Sequence, residues 1–213
     1  MFYKTIILIF ALLLLNGCQS AYYSAMEKVG THKRDILIDR VEEATTSQEE
    51  AKEEFISALE QLSKLIAFDG GELQTQYELS KDSFESSQEA AEEVSARIDA
   101  IEDVAEALFD EWRDEIKQYS NQSLKRQSER QLNTTEKRYL TVIKAMHKAE
   151  DRMSPILASL KDNMLYLKHN LNAKAIGALK GEYKVIKQDI DRLIMQMNQS
   201  IKDSQAFITA LKS

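Results

Sequence analysis

One proline, six glycines and one cysteine are spread over 213 residues. So few turn-formers do not suit a β-sandwich or a parallel α/β fold, both built from many short elements. With a single cysteine there is no internal disulfide, and stability has to come from packing. The histidines are equally sparse. His32, His147 and His169 follow Val29, Lys144 and Tyr166 at the i−3 position, so the Glu-x-x-His pairs of a di-iron bundle are missing. The chain has no His-Glu-x-x-His, Cys-x-x-Cys or Gly-x-Gly-x-x-Gly pattern. These gaps predict no metal ligand, no cofactor-binding residue and no catalytic residue, hence not an enzyme. A net charge of −7 argues against a nucleic-acid partner.

What remains is rich in helix formers, with 30% charged residues, and its apolar residues recur at alternating steps of three and four. The first tract runs Leu37, Val41, Ala44, Gln48, Ala51, Phe55, Ala58, Leu62, Leu65 and stops at Phe68-Asp69-Gly70-Gly71, where paired glycines end a helix. The second runs from Leu73 through Tyr77, Ser80, Phe84, Ser87, Ala91, Val94, Ile98, Ile101 and Ala105 to Leu108, Trp112, Glu115 and Tyr119. After a polar break at Ser120-Asn121-Gln122-Ser123, in which Ser120 or Ser123 is the expected cap, the third tract is clearest from Thr135 to Leu167. Pro155 lies inside it, and a kink is expected there. Asn170-Leu171-Asn172 separates it from a fourth tract, Ile176 to Leu211.

Second apolar rows, including Leu59, Ile66, Ile143, Leu157, Met164, Ile194, Ile201 and Ile208, widen these seams. A widened stripe suits a helix that touches two neighbours, and short breaks suit antiparallel neighbours. The expected fold is all-α: an elongated antiparallel helical bundle or coiled coil of about four long helices. Polar seam members Gln48, Ser80, Ser87, Glu115 and Asn163 are expected either to set register or to line a ligand cavity. Trp112, Tyr119, Tyr77 and Phe84 are expected in the core. The histidines are expected at the surface or at helix ends, and the carboxylate pairs Glu42-Glu43, Glu49-Glu50, Glu53-Glu54 and Glu92-Glu93 on solvated faces.

Charge is divided along the chain. Residues 39–115 hold 24 Asp or Glu against 6 Lys or Arg, and residues 116–213 hold 9 against 18. This predicts that an acidic first hairpin packs on a basic second one, within one chain or between two copies as a homo-oligomer. The basic strip also suits anionic lipid head groups.

The front end is different in kind. Lys4 precedes ten apolar residues, Ile6 to Leu15, too few for a stable span and typical of a secretory signal. Leu15-Asn16-Gly17-Cys18 then resembles a bacterial lipobox. That resemblance implies cleavage before Cys18, diacylglyceryl and fatty-acyl modification at this residue, and, because Gln19 rather than Asp follows, sorting to the outer membrane. Several acyl chains would make the anchor effectively permanent. Tyr22 and Tyr23 are plausible contacts at the lipid–water interface. The expected organisation is therefore residues 1–17 as signal peptide, 18–35 as lipidated N-terminus and tether or early helix, and 36–213 as the bundle.

Together with this lipobox, the stretch FDGGELQTQY and the helix around LFDEWRDEI resemble an uncharacterised family of proteobacterial lipoproteins that share a domain of unknown function. The resemblance carries address and fold, and no binding residue. The function expected is that of a noncatalytic scaffold or protein-interaction module facing the periplasm, attached to the membrane by its lipid and meeting an envelope protein partner. The alternative is a carrier of a lipid or small ligand.

Overall fold

A computed structural model describes residues 32–67, 73–170 and 172–213. Cys18, the apolar start, Tyr22, Tyr23, most of the 18–35 segment and the Gly70-Gly71 stop lie outside the described residues. Among the described residues there are four helices, α1 (Lys33–Ile66), α2 (Leu73–Gln118), α3 (Gln122–His169) and α4 (Ala173–Lys212). The longest, α3, has 48 residues, roughly 70 Å at about 1.5 Å per residue.

Cross-helix bridges set the directions. Lys33, Glu43 and Glu54 of α1 meet Glu111, Arg97 and Ser87 of α2, so partner numbers fall as α1 advances. Ser95, Glu102 and Trp112 of α2 meet Glu150, His147 and Ser128 of α3 in the same inverse order. Glu42 and Lys52 of α1 meet Lys212 and Asn198 of α4. α1 packs chiefly on α2 and α4, and α3 on α2 and α4. The result is an antiparallel four-helix bundle whose α1–α2 and α3–α4 hairpins form opposite sides.

Burial follows the sequence seams closely. All nine predicted positions of α1 are buried, Gln48 included. In α3 the seam from Val142 to Leu160 is buried, and it extends back to Leu132 and Ser128. In α4 Ile176, Leu179, Ile186, Ile190, Leu193, Met197, Ser200, Ser204, Phe207 and Leu211 are buried. The second rows behave as stripe-widening positions should. Ile143 and Ile201 are buried, while Leu59, Ile66, Leu157, Met164, Ile194 and Ile208 are half-buried against the core.

α2 departs from its predicted seam after Ala105. Phe109 and Ile116 are buried there, Leu108 and Trp112 are half-buried, and Glu115 and Tyr119 are exposed. A strict seven-residue repeat slips by about 20° per heptad on a straight helix. Over a helix of 46 residues the slip accumulates until the next residue faces inward.

Local signals end the helices. Asn121, rather than either serine, caps α3: its Oδ1 accepts from the N–H groups of Ser123 at 2.9 Å and Leu124 at 3.2 Å. The Asn172 Oδ1 accepts from the Lys174 N–H at 3.0 Å at the start of α4. α3 continues through Pro155, with Met153 and Ile156 buried on either side. Proline here removes one intrahelical donor without breaking the register.

Candidate functional site

Four places carry polar chemistry. The first is a cleft of about 680 Å³ at the end of the bundle where α1 begins and α4 finishes. α2 supplies Leu108, Glu111, Trp112 and Glu115, α3 supplies Arg130 and Arg138, and Arg34 and Leu211 come from α1 and α4. The Trp112 indole N–H donates to the Ser128 hydroxyl at 2.8 Å, which fixes the ring against α3. Glu111 is held by Lys33 at 3.0 Å. A smaller groove of about 430 Å³ lies between α3 and α4 beside Asn163 and Tyr166.

The second is a polar layer in the seam. Gln48 and Ser200 are wholly buried, and among the described residues neither the Gln48 amide atoms nor the Ser200 hydroxyl has a hydrogen-bond partner. Lys52–Asn198 and Glu42–Lys212 bracket these positions on facing helices, which puts them in the same stretch of the α1–α4 interface. Ser87 and Ser204 satisfy themselves instead. The Ser87 hydroxyl lies 2.8 Å from its own-helix Ser83 carbonyl and 3.2 Å from the Glu54 carbonyl of α1, and Ser204 donates to the Ser200 carbonyl.

The third is His147. Its Nδ1 lies 2.8 Å from Glu150 and its Nε2 3.1 Å from Glu102 on α2, while Ser95 donates to Glu150. Burial pulls the imidazole pKa down, but the two carboxylates outweigh it and raise it above the ordinary 6.5. Nearby, burial and then Glu102 and Glu106 push Tyr139 up to about 12, so this phenol stays protonated. The ring nitrogens of His147 point to carboxylates on opposite sides. No three His, Cys, Asp or Glu side chains converge as metal ligands among the described residues.

The fourth is the pair of charged sides. α1 and α2 carry 23 acidic against 9 basic residues, net −14, and α3 and α4 carry 9 against 17, net +8. The acidic hairpin does pack on the basic one, as expected, but ion pairs do little of the joining. Lys212–Glu42 and His147–Glu102 have the expected sense and Arg113–Glu136 the reverse. Lys137, Arg138, Lys144 and Lys148 all face solvent. The seam consumes the interior positions, so the charges point outward.

Against the sequence expectations, Phe84 is buried, Tyr77 and Trp112 are half-buried against the core, and Tyr119 stands at 40% exposure rather than in it. Glu115 leaves the seam with Tyr119. The carboxylate pairs lie off the seam as expected, with only Glu54 half-buried. His32 and His169 are exposed at helix ends. His147 is half-buried rather than at the surface or a helix end as expected, and its local signal is His147-x-x-Glu150, the reverse of the Glu-x-x-His order of a di-iron bundle.

Fold and site together define an all-α antiparallel bundle with segregated surface charge. The chain belongs to the family described as "protein of unknown function (DUF2959)", whose model matches residues 22–211. Comparison with curated proteins finds no match. Among the described residues no helix is long and apolar enough to cross a membrane.

Proposed function

We propose that this chain is a noncatalytic envelope lipoprotein, anchored through Cys18 in the outer membrane, whose periplasm-facing bundle acts as a scaffold for an envelope protein partner. The observation that carries the reading is the separation of charge onto opposite long sides of the bundle. Isolated surface ion pairs contribute little to stability. A net of −14 on one side and +8 on the other creates instead an extended field that steers and orients a complementary surface. The acidic side, with Glu49, Glu50, Glu53, Glu89, Glu92 and Glu93 exposed, fits a partner with a basic face.

Crosslinking in intact cells tests the scaffold reading, comparing the native chain with one in which Glu49, Glu53, Glu89 and Glu93 are changed to Lys. A discrete crosslinked species that is lost in the variant is the expected result. The same crosslinks in both chains, or none in either, overturn the reading. The anchor is tested separately by the mass of the mature N-terminus: an unmodified Cys18 thiol rules it out.

A further inference from the structure

We infer that the cleft at the α1-start end of the bundle is a binding site for a phosphate-bearing anionic amphiphile, its phosphate held by Arg130 and Arg138 and its apolar part laid on Trp112 and Leu211. The inference rests on the cleft and not on the scaffold reading.

Arg130 and Arg138 lie eight residues apart on α3, roughly 12 Å along the axis and about 80° apart around it. Both line the cleft, and Thr134 lies between them on the same wall. Among the described residues neither guanidinium has an ion-pair or hydrogen-bond partner, although arginines elsewhere on the surface, such as Arg97, Arg113 and Arg192, are paired. Both guanidinium groups border the same cleft and their long side chains give each the reach to meet one tetrahedral anion there, and the forked geometry of arginine favours bidentate contact with phosphate. Arg34 of α1 also lines the cleft, with its Nε 3.9 Å from Asp35. Opposing them, Glu111 is already neutralised by Lys33, which leaves Glu115 as the remaining lining side-chain carboxylate, with the C-terminal Ser213 also at the rim.

Apolar surface adjoins this charge. Leu108, Trp112 and Leu211 line the same space, with the indole fixed by its hydrogen bond to Ser128. A volume of about 680 Å³ falls within the range of small-ligand sites, roughly 300–1,000 Å³. A bare anion would leave the apolar wall unused. A phospholipid head group with the first carbons of its tails uses both halves.

Trp112 is the chain's single tryptophan, so its fluorescence reports on this cleft alone. The full-length chain in dodecyl maltoside is titrated with monomeric dihexanoyl phosphatidylglycerol, dihexanoyl phosphatidylcholine and inorganic phosphate. Expected are a saturable spectral shift with phosphatidylglycerol, at least tenfold weaker responses to the other two, and a tenfold or greater loss of phosphatidylglycerol affinity in R130Q/R138Q. Both positions are exposed, and circular dichroism checks that the variant keeps its helix. R130K/R138K, which keeps the charge but not the fork, is expected to lose affinity to a smaller degree. No saturable response, or undiminished affinity in R130Q/R138Q, overturns the site. Phosphatidylcholine binding as tightly as phosphatidylglycerol overturns the role of the arginines. Inorganic phosphate binding as tightly overturns the amphiphile in favour of a simple phosphate site.

Discussion

The indole N–H of Trp112 on α2 donates a 2.8 Å hydrogen bond to the hydroxyl of Ser128 on α3, tying the two helices together near their shared turn. Ser128 is buried, so removing its oxygen leaves the indole donor without that acceptor. Ser128→Ala is expected to cost about 1 kcal/mol, read as a lower urea midpoint with unchanged slope, together with altered Trp112 fluorescence. An unchanged midpoint and spectrum would show that the bond contributes nothing.

The slipped register of α2 makes a second expectation. Phe109 is buried and meets Tyr139 edge-on, with ring centroids 5.4 Å apart and planes at 66°. Leu108, which a strict heptad would put in the core, is only half-buried. Phe109→Ala is therefore expected to cost about 3–5 kcal/mol, and Leu108→Ala clearly less. Chemical denaturation of the two variants side by side decides the register, and the opposite ranking would mean that the heptad runs on unshifted.

Gln48 bears on the trade between stability and specificity. Its amide is wholly buried and has no partner among the described residues, and an unsatisfied buried polar group costs about 1–3 kcal/mol. Gln48→Leu is expected to raise the unfolding free energy by about that amount. It should also loosen the choice of register, because a seam polar residue penalises misaligned packings. Denaturation gives the first quantity, and sedimentation velocity reports any new oligomers. A fall in stability would mean that the amide is satisfied in solution.

The His147 clamp gives a pH dependence with a definite sign. Its folded pKa lies above the ordinary 6.5 because Glu102 and Glu150 favour the imidazolium more than burial disfavours it. Stability from this group is thus fully present below about pH 6.5 and is lost as the pH rises through the folded value. Urea midpoints measured from pH 5.5 to 8.5 are expected to show a downward step that His147→Gln removes. If the native chain and the variant track each other across that range, the clamp has no energetic role.

How much of this was legible before folding depends on the residue. The α1 seam could be read position by position from Leu37 to Leu65, because every third or fourth residue was apolar and one polar member, Gln48, did not interrupt the count. The far end of α2 misled the count. Leu108 and Phe109 are adjacent and both apolar, so composition offered no means of choosing, and accumulated helical twist made the choice. Asn121 outcompeted two neighbouring serines as cap because of where the backbone turned. The cleft was not legible at all. Leu108 and Trp112, Arg130 and Arg138, and Leu211 come from three separate helices, and nothing local relates one helix's members to another's.

By itself, the sequence determined that the chain is helical, where its helices run and, except at the far end of α2, which stripe each one buries, since periodicity and the scarcity of proline and glycine are local properties that act before any contact forms. Tertiary structure alone decided that the charged side chains point outward with few ion pairs between the hairpins, that His147 falls between two carboxylates, and that two unpaired arginines share a cleft with the lone tryptophan. Those outcomes depend on relative height and rotation between helices, which are set only when the seams close on one another.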